Sequence, residues 1–204
     1  MIAIVNYGSG NILSVKNAFD YLGEDCQICN SPEELINAEK IILPGVGSFP
    51  DCMKNLIERK FVDVLKEKVL INKTPILGIC LGMQIMAKMG FEMKKTEGLG
   101  WFDAKVIKIN SSNTNFKIPN IGWENIEYKP NGILFNNSQV ILDFYFVHSY
   151  FMKCNNDDDM TSWYYLDNQK ITASIQKENI FGTQFHPEKS SDYGREVLIK
   201  FIEY

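Results

Sequence analysis

In the first half of the chain, short apolar runs alternate with stretches of helical spacing. The apolar runs predict strands at Ile2 to Asn6, Asp25 to Cys29, Lys40 to Leu43 and Pro75 to Ile79. The other stretches predict helices at Asn11 to Leu22, Pro32 to Ala38, Asp51 to Leu70 and Leu81 to Met89. Strands that alternate with helices pair in parallel, and the helices cover both faces of the sheet.

From about residue 104, short β-type runs separated by Asn, Asp and Gly clusters replace this alternation. The runs are Ala104 to Ile109, Trp123 to Tyr128, Val140 to Val147, Ser162 to Leu166, Ile171 to Ile175 and Phe181 to Gln184. An amphipathic helix is predicted over Asp192 to Ile202, with Ser190 or Ser191 as its cap. The acidic run Asp157 to Asp159 is interpreted as a solvated hairpin tip rather than a metal site.

The predicted fold class is therefore α/β, with three layers, a central mostly parallel sheet and additional antiparallel strands. The 204 residues are enough for one large core, and a single domain over 1–204 is expected. Hydrophobic residues make up 45% and charged residues 23%, which is typical of a globular protein.

Charge and hydropathy exclude several classes of function. The net charge is -4 and no basic cluster is present, so nucleic-acid binding is not expected. No apolar run is long enough to cross a bilayer, and the N-terminus lacks the basic and apolar regions of a signal peptide. The sequence predicts a cytoplasmic protein without membrane contact.

The five cysteines are an odd number in a chain without export signals, which favours reduced thiols. Cys26 and Cys29 match the C-x-x-C pattern of redox and zinc sites. On a strand, however, residues three apart point to opposite faces, so two small buried residues are the simpler interpretation. No metal ion and no organic cofactor is predicted.

The segment Gly78-Ile79-Cys80-Leu81-Gly82 lies between a predicted buried strand and a predicted helix. This is the strand–turn–helix context of a nucleophile elbow, with cysteine as the nucleophile. A helix N-terminus favours the thiolate, and the backbone N–H of Leu81 would face a developing oxyanion. The alternative is a buried structural cysteine in a glycine-rich turn.

The segment Gln184-Phe185-His186-Pro187-Glu188-Lys189 follows another predicted strand. His186 falls at the strand end, where α/β proteins place functional groups. Glu188 is close enough in sequence to orient the imidazole, as a base requires. Alone, this segment could be a surface turn. The other histidine, His148, is interpreted as mainly structural.

A third segment, residues 44–49, carries two glycines directly after a predicted strand. Glycines allow a loop to present backbone N–H groups to an anion. The segment lacks the Gly-Lys-Ser/Thr ending of a phosphate loop, so a nucleotide site is not favoured. A plain turn is the alternative.

Taken together, these segments resemble the triad-type, or class I, glutamine amidotransferases. The chain is most similar to the glutaminase subunits of imidazole glycerol phosphate synthase, which have a flavodoxin-like fold. The resemblance spans nearly the whole length, and the segments that carry it are residues 6–11, 44–49, 78–84, 97–100, 119–123, 145–150 and 184–190.

The resemblance implies a Cys80–His186–Glu188 triad that hydrolyses L-glutamine to glutamate and ammonia. It places the oxyanion hole at the backbone of Val46, Gly47 and Leu81. It also implies that glutamine is bound by Gln84, Glu97, His148, Ser149 and Tyr150. A carboxylate suits the α-ammonium of the substrate, and an amide suits a zwitterion.

The resemblance further implies a heterodimer in which ammonia passes to a (β/α)8-barrel synthase of histidine biosynthesis. Asn11, Asn120, Trp123 and Lys189 would face this partner. The family usually has histidine where this chain has Asn120, which leaves partner identity open. The alternative is a related glutaminase that supplies ammonia for amidation of a surface-glycan sugar.

Two further classes remain at this stage. A non-catalytic binding protein with the same fold would have lost a triad member, and none is missing. A flavodoxin-like redox module would need a phosphate-binding loop after the first strand, for which residues 7–11 are only a loose match.

Overall fold

The computed structural model describes residues 1–111, 117–135 and 141–204. Its strands are β1 (Ile2–Val5), β2 (Cys26–Cys29), β3 (Lys40–Gly45), β4 (Ile76–Cys80), β5 (Ala87–Gly90), β6 (Thr96–Glu97), β7 (Phe102–Lys108), β8 (Asn120–Tyr128), β9 (Leu142–His148), β10 (Tyr150–Cys154), β11 (Met160–Leu166), β12 (Gln169–Lys177) and β13 (Ile180–Thr183). Its α-helices are α1 (Ile12–Tyr21), α2 (Phe49–Glu58), α3 (Phe61–Lys66), α4 (Leu81–Gln84) and α5 (Ser191–Glu203).

Within the described residues, nine strands form the main sheet in the order β2-β1-β3-β4-β13-β12-β11-β8-β9. The first five are parallel to one another, and the last four continue the sheet in antiparallel fashion. A smaller sheet has the order β10-β7-β5-β6. The predicted fold class, a mostly parallel core with added antiparallel strands, is confirmed.

The main sheet is covered on both faces. Ala3 and Val5 of β1 pack with α2 and α3 residues such as Phe61, whereas Ile4 packs with Phe19 of α1 and with α5. Alternate strand residues therefore enter opposite cores, as the period of a strand requires. The small sheet adds Met152 and other apolar residues to the core that contains Ala3, Val5 and Phe61.

Ser48 begins α2 as its N-cap, because its Oγ accepts the backbone N–H of Asp51. Helical structure is interrupted at Lys60, which has a positive φ of 60°, so the predicted helix Asp51 to Leu70 becomes α2, α3 and a final π-turn over Glu67–Ile71. The predicted helix Pro32 to Ala38 is a single 3₁₀ turn over Pro32–Leu35.

The predicted helix Leu81 to Met89 is wrong in its second half. The chain is helical only over α4 and then forms β5, which pairs with β6 and β7. Met83, Ile85 and Met86 are all fully buried, so this run is apolar on every side. Periodicity cannot separate helix from strand in such a run.

The acidic run is not a hairpin tip. Asp157–Asp159 forms a 3₁₀ turn between β10 of the small sheet and β11 of the main sheet. Asp159 is buried, and burial raises its pKa. Of the predicted strand Val140 to Val147, residue 140 lies outside the described residues, and the rest corresponds to β9.

All five cysteines lie in described residues, and none is paired. Cys26 and Cys29 are buried in opposite cores, which agrees with the interpretation of this pair as two small strand residues. No helix in the described part of the chain is long and apolar enough to span a membrane.

Candidate active site

Three neighbouring parallel strands bring the candidate residues to one edge of the sheet. Gly45 at the end of β3 pairs with Cys80 at the end of β4, and Ile79 pairs with Thr183 at the end of β13. The loop after β3, the cysteine after β4 and the histidine after β13 must therefore lie side by side. This edge is where open α/β sheets bind ligands.

Cys80 sits on a strained turn between β4 and α4, with φ of 54° and ψ of -110°. A positive φ is unusual for a residue with a side chain, and it marks a strained functional position. The turn passes so close to β3 that a Cβ at Gly82 would lie 1.8 Å from the carbonyl oxygen of Leu43. Glycine is thus required at 82 for the elbow to form.

His186 and Glu188 form a buried pair. His186 Nδ1 lies 2.8 Å from Glu188 Oε1, and the two side chains are 4% and 1% exposed. A 3₁₀ turn over Pro187–Lys189 folds the carboxylate back onto the ring. The carboxylate can only accept, so Nδ1 carries the proton and Nε2 is directed away from Glu188.

The charge state of His186 is set by its neighbours. Burial alone would lower its pKa, but hydrogen bonding and charge from Cys80 and Glu188 raise the pKa of His186 to about 10. Its Nε2 is buried without an oxygen or nitrogen partner in the described chain, and Cys80 shares its cavity. A cysteine and an imidazole in one cavity, with a carboxylate behind the imidazole, is the arrangement of an activated cysteine nucleophile.

A cavity of about 310 Å³ opens above these side chains. This volume lies at the small end of the range for ligand sites, which suits a small metabolite. The lining residues that the sequence predicted for the site are Val46, Gly47, Cys80, Leu81, Gln84, His148, Ser149, Tyr150 and His186. Lys189, predicted to face the partner, also lines the cavity. The lining residues that the sequence did not predict are Glu92, Pro119 and Val147.

Glu97 does not line the cavity, so the structure does not bring it together with the other residues predicted to bind glutamine. It is an exposed residue of the short strand β6. Glu92 lines the cavity instead, and its Oε2 accepts the backbone N–H of Phe49 at 2.7 Å. Both are single carboxylates in a turn-rich segment, and no local pattern distinguishes them.

Tyr7 anchors the start of the loop after β3 through a hydrogen bond. The buried Tyr7 hydroxyl donates to the carbonyl oxygen of Pro44 at 2.7 Å. Beyond it, Gly47 has a φ of 105°, and Val46 is 45% exposed beside the cavity. The loop can thus present backbone groups to a ligand next to Cys80.

His148 lines the cavity but is bound into the protein interior. Its Nδ1 donates to the carbonyl oxygen of Tyr150 at 2.9 Å, and Nε2 lies 2.8 Å from the Tyr164 hydroxyl. Burial lowers the pKa of His148 to about 4, so the ring is neutral and Nε2 accepts from Tyr164. The expectation of a mainly structural histidine agrees with this geometry.

Of the residues expected to face a partner, Trp123 is 48% exposed and Lys189 is also exposed. Asn11 is half-buried at the start of α1 and its side chain does not cap the helix. Asn120 differs from the expectation, because its buried side chain donates to the Tyr164 hydroxyl at 3.1 Å. The Asn120 amide therefore bonds to the same hydroxyl that contacts His148.

Among the described residues, no group of three His, Cys, Asp or Glu side chains is arranged to hold a metal ion.

Comparisons with known proteins agree with this geometry. Residues 3–203 match the sequence model of the family described as glutamine amidotransferase class-I. A Campylobacter jejuni protein named imidazole glycerol phosphate synthase subunit HisH 1 is 45% identical, over 99% of each chain. A Methanococcus maripaludis protein named as the HisH 2 subunit is 42% identical over 100% of this chain and 99% of its own.

Solved structures show the same fold at low identity. A protein described as glutamine amidotransferase superposes with a TM-score of 0.76 at 18% identity, covering 100% of this chain and 98% of its own. A chain of the PurLQS structure from Thermotoga maritima also gives 0.76, at 20% identity, covering 100% and 97%.

Proposed function

Because the chain belongs to the class I glutamine amidotransferase family, and is therefore a glutamine-hydrolysing enzyme, we propose that Cys80, His186 and Glu188 are its catalytic triad. The observation that carries this assignment is the buried His186–Glu188 pair, whose imidazole lines the same cavity as Cys80. The reaction is hydrolysis of L-glutamine to glutamate and ammonia.

In the proposed mechanism, the Cys80 thiolate attacks the side-chain carbonyl carbon of glutamine and forms a tetrahedral oxyanion. Backbone N–H groups of Leu81 and of the Val46–Gly47 loop stabilise this oxyanion. His186 gives its proton to the departing nitrogen, so that ammonia leaves and a thioester remains.

The thioester is then hydrolysed. His186, now neutral, removes a proton from water as the water attacks the thioester carbon. Collapse of the second tetrahedral intermediate expels the Cys80 sulfur and releases glutamate. Glu188 keeps the same tautomer of the ring through both steps and stabilises the imidazolium.

Recognition of the amino-acid end of glutamine is assigned to Glu92, whose carboxylate suits an α-ammonium group. Gln84 donates its amide hydrogens to the Tyr150 carbonyl and to Gln184 Oε1. Its own Oε1 is therefore the atom with which it would contact the substrate. Ser149 and Tyr150 complete the wall of the cavity.

We further propose that the ammonia passes to a (β/α)8-barrel synthase subunit in the cytoplasm, which makes imidazole glycerol phosphate for histidine biosynthesis. The names and identities of the Campylobacter and Methanococcus relatives support this partner. Exposed Trp123 and Lys189 supply a docking surface, because aromatic side chains beside a charged rim are typical of interface centres.

Asn120 favours a second candidate for the enzyme that receives the ammonia. The family usually has histidine at this position, whereas here an amide bonds to Tyr164 behind the cavity. A related glutaminase could supply ammonia to an enzyme that amidates a surface-glycan sugar. Both functions use the same triad, so the partner alone separates them.

Glutamate release by the purified chain, alone and with each candidate synthase and its acceptor, tests both levels of the proposal. We expect Cys80→Ala to abolish release and the histidine-pathway synthase to stimulate it. Trp123→Ala should weaken that stimulation without changing release by the isolated chain. Stimulation only by a sugar-amidating partner would select the second acceptor, and hydrolysis by Cys80→Ala would reject the triad.

A further inference from the structure

Gln184 contacts the sulfur of Cys80 from beneath the cavity. Its Nε2 lies 3.6 Å from Cys80 Sγ. Gln184 directly follows β13 in the chain, and its side chain is fully buried. Gln184 does not line the cavity, so it has no direct access to a substrate. Its amide is nevertheless bonded to the atom that reacts.

The orientation of this amide follows from its hydrogen bonds. Gln84 bonds through one terminal atom to the carbonyl oxygen of Tyr150 at 2.8 Å, and a carbonyl only accepts, so that atom is the Gln84 NH₂ group. The same NH₂ group lies 2.9 Å from Gln184, so the Gln184 atom it meets must be the acceptor Oε1. The remaining terminal atom of Gln184, which faces Cys80, is therefore an N–H donor.

The two contacts of the sulfur have opposite polarity. The carbonyl oxygen of Val147, 4.0 Å from Cys80 Sγ, can accept from the protonated thiol. The Gln184 N–H can donate to the sulfur, and this bond strengthens when the sulfur is negatively charged. Loss of the proton thus removes the Val147 contact and reinforces the Gln184 contact.

We propose that Gln184 is a thiolate-stabilising residue of the reaction: its N–H donates to the negatively charged sulfur of Cys80 and holds it in place below the substrate carbonyl. Gln84 fixes the Gln184 amide in the donating orientation. This inference rests on the proposed function, because it assumes that Cys80 is the nucleophile. Gln184 would thus stabilise the thiolate as a neutral hydrogen-bond donor, in addition to the positive charge of His186.

The test compares the pH dependence of Cys80 alkylation by iodoacetamide in the full chain and in Gln184→Met. Modification is read from the Cys80 peptide by mass spectrometry, so other cysteines do not contribute. Methionine keeps a similar length without the N–H. We expect the pH of half-maximal alkylation to rise by about one to two units, as loss of a hydrogen bond to a charged group predicts.

The matched control is Asn179→Leu. Asn179 is also a buried amide with two hydrogen bonds, to the carbonyl oxygens of Val69 and Thr74, away from the cavity. This variant loses stability but should keep the parent alkylation midpoint. A shift of equal size in both variants, or no shift in Gln184→Met, would overturn the role of Gln184.

A second measurement needs no substitution. In the unmodified chain, the side-chain NH₂ resonances of Gln184 should move through the same pH midpoint as Cys80 alkylation, and those of Asn179 should not. If the chemical shifts of the Gln184 NH₂ group do not change as Cys80 ionises, the inference is rejected even if glutamine hydrolysis is intact. If the unmodified chain does not hydrolyse glutamine although Cys80 and Gln184 titrate together as expected, the result would instead count against the proposed function.

Discussion

Glu92 Oε2 accepts the backbone N–H of Phe49 at 2.7 Å, so a carboxylate in the wall of the cavity is fixed to the first residue of α2. This contact fixes the position of the Glu92 carboxylate beside the N-terminus of α2, where negative charge is favourable. A carboxylate held in this way needs no rearrangement to receive an ammonium group.

Glu92→Gln is expected to raise the KM for glutamine by roughly 10- to 100-fold, because it removes a charged hydrogen bond to the substrate while keeping an acceptor for Phe49. Glu97→Gln is the matched control, since this carboxylate is exposed and outside the cavity. Steady-state glutamate release measures both. Equal effects at the two positions, or an effect at Glu97 alone, would contradict the assignment of Glu92.

Glu188→Gln keeps an oxygen acceptor for His186 but removes its negative charge. We expect the pKa of His186 to fall below about 10, because Glu188 is one of the two groups that raise it. Turnover should drop by roughly 10²- to 10⁴-fold, the usual scale of acid–base catalysis. NMR titration of the imidazole and turnover assays give the two results.

The control for this prediction is Glu178→Gln, at an exposed carboxylate that pairs with Lys73. Both residues precede β4 and β13, at the opposite strand ends from Cys80 and His186. This variant should leave the His186 titration and turnover at parent values. Full activity in Glu188→Gln would show that the carboxylate does not act through the ring.

Tyr7→Phe removes the hydroxyl that holds the Pro44 carbonyl beneath the loop after β3. That carbonyl would lose its buried donor, which costs about 1–3 kcal/mol of stability. Turnover should fall while the KM changes little, because the loop is assigned to the oxyanion and not to ground-state binding. Thermal unfolding and kinetics of Tyr7→Phe, compared with the exposed Tyr165→Phe, provide the measurement. A rise in KM at constant turnover would assign the loop to substrate binding instead.

His148 makes stability depend on acid pH. Burial lowers its pKa to about 4, below the value of about 6.5 expected in the unfolded chain. The neutral ring therefore contributes stability above pH ~6.5, and this contribution is lost as the pH falls towards ~4, by up to about 3 kcal/mol. Urea unfolding between these pH values should show a steeper loss in the parent chain than in His148→Gln. Parallel curves would mean that His148 does not titrate in this range.

The resemblance to class I glutamine amidotransferases led us to expect Cys80 and His186 together, and the structure places them after the neighbouring parallel strands β4 and β13. The hydrophobic pattern alone was not sufficient, because it grouped Phe181 to Gln184 with the antiparallel strands and carries no information about strand order. The mostly parallel core was predictable, because strands alternate with helices in the first half.

Glu92 was not predictable, because its position depends on how the chain turns after β5, and β5 overlaps a run wrongly assigned to a helix. The inward direction of Asn120 was also hidden, since it is decided by the Tyr164 hydroxyl on another strand. Contacts between polar side chains that are distant in sequence leave no periodic signal.

The position of β13 has a consequence for how the protein is made. This strand is the last to be synthesised, yet it lies in the middle of the main sheet, between β4 and β12. Until it leaves the ribosome, the growing chain holds two unpaired strand edges that can join foreign strands. Proteins truncated before residue 180 should therefore aggregate rather than form a smaller enzyme.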